Sequence, residues 1–265
     1  MSVSKIYSAL FCLIALSACR KKDLPTPANP GINNPAPTKG QINIKIRNTA
    51  GVSPLIVGNG TSYTLPNGEE FSVNSFNYYI SNIVFTDEKG NKFTESESYH
   101  LAIATNPASL NFIIKNVPFG KYAKVDFLIG VDSTRNFSGA QTGDLDPKFG
   151  MFWTWSSGYV MARLEGKSPQ SGSPEGDIAF HIGGYKDQYN VIQKVSLVLP
   201  QAAYVSENVS PVISLQADVE KWFKDAGLEL FTFKKTFLIV TAGSEAFQMS
   251  QNYSDMFSVL TVENK

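Results

Sequence analysis

Apolar residues recur at every second position through much of this chain, and that period restricts it to half-buried strands. Ile42, Ile44 and Ile46 alternate with Asn43, Lys45 and Arg47. The same alternation runs through Val125, Phe127, Ile129 and Val131, through Ile178, Phe180 and Ile182, and through Val195, Leu197 and Leu199. Successive side chains of a strand point to opposite faces, so each run offers one apolar face to a core. Further strands are expected over 78–86, 98–104, 110–115, 159–164, 210–215 and 236–241. Turn signals separate them, among them Pro66-Asn67-Gly68, Pro118-Phe119-Gly120 and Gly183-Gly184. One segment has helical spacing instead. Leu215, Val219, Trp222, Phe223 and Ala226 share a face, and Gly227 would end the helix. Many short strands with one short amphipathic helix predict a mainly β fold, a single antiparallel β-sandwich of the immunoglobulin-like, two-sheet kind.

The N-terminus predicts export. Lys5 precedes an apolar run from Ile6 to Leu16, which is followed by Ser17, Ala18 and Cys19. The run is too short to span a bilayer and has the form of a secretory signal. Its small-small-Cys ending matches a bacterial lipobox, which implies a signal peptide over 1–18 and a lipidated Cys19. The expected location is the outer membrane, cell surface or periplasm of a bacterium, with the membrane reached through the N-terminal lipid. Residues 19–40 carry Pro25, Pro27, Pro30, Pro35 and Pro37 among Asn, Gly and Thr, a composition suited to an extended tether. Residues 41–265 are expected to form the folded domain. Cys12 lies within the apolar run, so the exported domain has no disulfide and depends on packing.

The chain holds 23 Lys and Arg against 23 Asp and Glu, with no basic stripe of the kind nucleic acid requires. It has no G-x-S-x-G elbow, no Walker loop, no dinucleotide fingerprint and no HExxH. With two histidines in the sequence, a three-histidine hydrolytic zinc site is excluded. The expectation is a protein that is not an enzyme.

The residues suited to binding chemistry concentrate in 130–165. This block holds Asp132, Asn136, Asp144 and Asp146, then Trp153 and Trp155 separated by one residue. The acids could hold a hard cation such as calcium through oxygen ligands, or they could shape turns without an ion. The tryptophans would share a face if extended, filling a core or forming a platform for a glycan or a protein. Trp222, on the apolar stripe, is expected in the core. His100 lies between Tyr99 and Leu101, and His181 between Phe180 and Ile182. Each is expected to point away from its strand's apolar face, either to solvent or an edge, or into a shared metal site, since imidazole suits copper, zinc and nickel.

The run from Gly130 to Tyr159, with F-N-Y-Y-I-S-N-I at 76–83, S-Y-H-L at 98–101, F-H-I-G-G-Y at 180–185 and N-Y-S-D-M-F-S-V at 252–259, resembles the MbnP family of exported bacterial copper-binding proteins. The resemblance implies a β-sandwich that binds one copper ion. It also implies a tryptophan oxidised to kynurenine by a partner di-haem, peroxidase-like enzyme, the product acting as a ligand beside histidine. Carried onto this chain, the ligands are His100, His181 and Trp155 or Trp153, with Trp155 favoured for oxidation. Two positions depart from the family pattern. Ser156 follows the second tryptophan in place of Asn, and 260–264 lacks a C-terminal histidine.

Overall fold

A computed structural model describes residues 38–155, 158–223 and 231–265. The expected signal peptide, Cys19 and most of the tether lie outside the described residues, as do Ser156, Ala226 and Gly227. The chain runs through β1 (Lys39–Ala50), β2 (Ser53–Pro54), β3 (Ser62–Thr64), β4 (Glu70–Asp87), β5 (Lys92–Thr94), β6 (Tyr99–Ile103), β7 (Asn111–Pro118) and β8 (Gly120–Ile129). It continues through α1 (Ser133–Phe137), β9 (Phe152–Trp153), β10 (Gly158–Lys167), β11 (Asp177–Gly183), β12 (Gln193–Val205) and β13 (Val212–Asp218). The last elements are β14 (Leu238–Ile239), α2 (Ser244–Tyr253) and β15 (Phe257–Glu263).

These strands form two mixed sheets. The smaller has the order β15-β13-β1-β2, with β7 also paired to β1. The larger has the order β12-β8-β4-β10-β11-β14, with β3, β5 and β6 on β4 and β9 on β10. The expected mainly β class holds, but the simple antiparallel immunoglobulin-like sandwich does not. Strand β1 pairs parallel with β13, and β11 pairs parallel with β14. A parallel neighbour cannot come from a tight hairpin, so each pair is closed by chain from far along the sequence.

The alternating isoleucines behave as their period requires. Ile42, Ile44 and Ile46 are buried, whereas Lys45 and Arg47 are exposed. Aromatic rings cross the interior between the sheets. Tyr78 meets Phe257 at 5.6 Å, and Phe127 meets Phe257 at 5.0 Å. The Tyr78 hydroxyl donates to Asn48 on β1, which satisfies it where water cannot reach. Burial pushes that phenol far above its usual range, so it remains a donor.

Over 215–223, the described part of the expected helix, the chain is not α-helical. Leu215 belongs to β13, and Val219–Phe223 make a 3₁₀ turn. Trp222 is fully buried against Phe76 and Tyr253, as a core residue should be. The buried helix is α2, which places Ala246, Met249, Ser250 and Tyr253 inward. Its stripe has helical spacing, but Ser250 occupies one buried position and weakens the apolar signal. That serine donates to Phe247 and accepts from Gln193, which offsets its desolvation.

Gly166 shows how closely β10 and β4 approach. A Cβ there would lie 1.8 Å from the Ser72 carbonyl oxygen, and the register shifts at this residue. Glycine at such a contact lets the bulged strand keep its pairing.

Candidate functional site

The block 130–155 folds over the outer face of the larger sheet, the face that looks away from the smaller one. Asn136 organises it. This side chain is fully buried, donates to the carbonyls of Val131 and Asp132, and accepts from the Tyr159 backbone. The Tyr159 hydroxyl donates to Leu145 and accepts from Gln141, and Tyr79 donates to the Asp144 carbonyl. Burial raises both phenols above their usual range, which keeps them protonated as donors. Leu145, Met151 and Trp153 are buried beneath this cover.

The three acids expected as a cation loop each have protein partners. Asp132 caps α1 by accepting from the Arg135 backbone, and its other oxygen accepts from the Tyr99 hydroxyl at 2.5 Å. Asp144 accepts from the Leu101 backbone at 3.0 Å. Asp146 accepts from the Lys148 backbone and pairs with its ammonium at 3.1 Å. Those contacts hold its carboxyl below the usual range. Asp132 and Asp146 cap short helical turns, and Asp144 ties its loop to β6. Among the described residues, no group of three or more His, Cys, Asp or Glu side chains is placed to hold a metal ion.

The two histidines have the same local partner type in different places. His181 Nε2 lies 2.7 Å from Glu165 Oε1, and Arg163 Nη2 lies 2.9 Å from the other oxygen of Glu165. His100 Nε2 lies 2.9 Å from Glu95 Oε2, which also accepts from Ser98. An ionised carboxylate only accepts, so each contacted Nε2 carries the proton in neutral imidazole and Nδ1 keeps the lone pair. For Glu165, burial acts to raise the carboxyl, but hydrogen bonds from His181 and Arg163 outweigh it and hold the group below its usual range.

Strand register separates these imidazoles. His181 sits opposite Arg163, Arg163 opposite Asn77, and Asn77 opposite Ile103. His100 precedes Ile103 by three positions, an odd step, and sits opposite Ile80. Side chains alternate, so His100 projects from the inner face and His181 from the outer face. His100 accordingly stacks on Phe112 of the smaller sheet, with ring centroids 4.0 Å apart. Three strand spacings add roughly 14 Å and three residues roughly 10 Å. Both imidazoles cannot bind one ion at bond lengths of about 2 Å. The apolar face read for His100's strand belongs to Tyr99 and Leu101, and it is covered by the 130–155 block, through Asp132 and Asp144.

Trp153 and Trp155 do come together, with ring centroids 5.1 Å apart. Their exposures differ sharply, at 8% for Trp153 and 65% for Trp155. Trp153 lies against Gly183, where a Cβ would be 2.4 Å from the indole. Glycine is required for that contact, and it places Trp153 two residues from His181 on the same strand face. Glu165, Arg163, Glu95 and Asn136 were not singled out for these roles by sequence reasoning. Arg163 and Glu165 share a strand face at a spacing of two, but nothing local indicates that His181 lies across from them.

A two-sheet β scaffold thus carries a carboxylate-held imidazole, His181, on the same strand face as the Gly183–Trp153 contact. The chain belongs to the MbnP family, whose model matches residues 39–252. A solved structure, MbnP from Methylosinus trichosporium, is similar at 13% identity over 70% of this chain and 77% of that chain, with a TM-score of 0.47. No curated protein matches the chain.

Proposed function

We propose that this MbnP-family chain is a non-enzymatic, lipid-anchored protein outside the bacterial cytoplasm, tethered through Cys19, that carries copper as cargo. The observation that supports the locus is the arrangement of His181. Its Nε2 is held by Glu165 at 2.7 Å, and Trp153 packs on Gly183 two residues away. A ligating histidine is commonly oriented by a carboxylate on its other nitrogen, which leaves Nδ1 for the ion. Imidazole is a suitable donor for copper.

The donor set implied by the family does not fit here as one site, because His100 faces the other side of the sheet. The locus is therefore His181 with the tryptophan pair. An indole has no usable lone pair, so a tryptophan would contribute through the aromatic amine of kynurenine. Trp155 is the more accessible ring for a di-haem, peroxidase-like partner.

The test is copper quantification after Cu(I) loading of wild type, His181→Ala and His100→Ala. About one ion per chain is expected in wild type and in His100→Ala, with loss in His181→Ala. Equal loss in both variants would restore a shared site, and full retention in His181→Ala would reject this locus. Peptide mass analysis of protein from its native host checks the kynurenine step. An unmodified Trp155 beside a modified Trp153 would reverse that assignment.

A further inference from the structure

An open cleft of about 500 Å³ lies at the C-terminal end of β11, beyond the His181 locus. Trp153, Tyr185 and Tyr189 contribute its aromatic surface, and Lys186, Asp187 and Gln188 its polar side chains. The volume falls within the roughly 300–1,000 Å³ common to small-ligand sites. None of these polar groups is used by the copper reading.

The lining chemistry narrows the ligand. One ammonium and one carboxylate stand on neighbouring residues, so the cleft has no net charge to recruit an anion or a cation. Lys186 Nζ lies 4.9 Å from the Tyr185 ring centroid and 5.9 Å from that of Phe137, and it makes no ion pair among the described residues. Asp187 adopts φ of 55°, a left-handed conformation uncommon for a residue with a Cβ. Asp187, Gln188 and Tyr189 form a short 3₁₀ turn between β11 and β12, with Lys186 at its N-cap. Tyr189 is 40% exposed, and Trp155, its ring tilted 34° against that of Trp153, extends the aromatic surface outward.

Donors and acceptors of both kinds beside partly exposed rings suit a ligand with many hydroxyls and apolar C–H faces. A peptide is disfavoured, because the neighbouring edge of β11 is occupied. Leu238 and Ile239 pair with Ala179 and Phe180, and a Cβ at Gly184 would lie 3.1 Å from Ala242. An added strand therefore has little free main chain to pair with there.

We propose that this cleft binds a neutral oligosaccharide, with Tyr189 as stacking platform and Asp187 and Gln188 as hydroxyl partners. The site is independent of the copper reading, although both touch Trp153. The test is calorimetric and tryptophan-fluorescence titration of the full-length protein in detergent, with EDTA present. The probes are cellohexaose, maltohexaose, laminarihexaose, mannohexaose and chitohexaose, with a neutral decapeptide in parallel.

At least one sugar is expected to bind, with affinity falling about tenfold or more in Tyr189→Ala and in Gln188→Ala. Both substitutions are at exposed positions, and circular dichroism checks that the fold persists. His181→Ala should bind the sugar as wild type does, which separates this result from the fate of copper binding. No response to any sugar up to about 10 mM would overturn the proposal. So would binding unchanged in both cleft variants, or a response to the peptide alone.

Discussion

His100 and His181 have nearly identical immediate partners and opposite surroundings. Each holds Nε2 against a glutamate, at 2.9 Å and 2.7 Å. His100 is stacked between the sheets on Phe112, and its role is accounted for by packing and one hydrogen bond. His181 stands on the covered outer face, near a tryptophan pair and an arginine-held carboxylate. The comparison teaches that a histidine–carboxylate contact does not identify a site. The elements around it decide whether the remaining ring nitrogen has anything to do.

The sharpest way to break this contrast is to remove what is peculiar to the His181 side. Asn136→Ala deletes a fully buried side chain that satisfies three backbone groups. It should cost about 2–4 kcal/mol, read by chemical denaturation, and disorder the Trp153 environment in near-ultraviolet dichroism. His100 should keep its stacked environment, read by the ring shifts of its NMR signals. If both imidazoles respond equally, the two regions are coupled and the contrast fails.

Gly183→Ala acts next in size. Its Cβ would overlap the Trp153 ring, so repacking should cost about 1–3 kcal/mol. Tryptophan fluorescence should shift, because Trp153 must leave its contact with β11. An unshifted spectrum with unchanged stability would show that the indole does not rest there.

Glu165→Gln sharpens the comparison through pH. The Glu165 carboxyl titrates below its ordinary value of 4.5 in the folded chain. Its contribution to stability is therefore present above the unfolded-state value and is lost as pH falls through the lower folded value. The group is partly solvated, so the effect is screened to about 1 kcal/mol or less. Wild type should lose this increment below about pH 4.5, and Glu165→Gln should show a flatter profile there. Matching profiles would mean that the His181 and Arg163 contacts do not stabilise the charged form.

The smallest stability change is expected from Trp155→Ala. Its ring is mostly exposed, so the change should stay within about 0.5 kcal/mol. Kynurenine formation in protein from the native host should nonetheless disappear. Persistence of that product in the variant would assign the oxidation to Trp153.

Legibility followed the range of the interaction concerned. The isoleucines of β1 and the alternation of β11 indicated strands, because a period of two is a local property. Trp222 was legible as core from its apolar neighbours, although those neighbours form a strand and a 3₁₀ turn instead of a helix. Helix α2 was not legible, since buried Ser250 interrupts its apolar stripe. The loop acids showed their residue types but not their partners. Asp132 reaches Tyr99 and Asp144 reaches Leu101 across 33 and 43 positions.

By itself, the sequence determined the β character, the absence of cysteine from residues 41–265, the tryptophan pair and the family motifs. Tertiary structure alone decided that β1 runs parallel to β13, that the two histidines face opposite ways, and that Trp153 is covered while Trp155 is not. Alternation along a strand specifies which side chains share a face. Which face lies inward, and what stands across from each residue, depends on partner strands brought from far along the chain by burial and main-chain pairing.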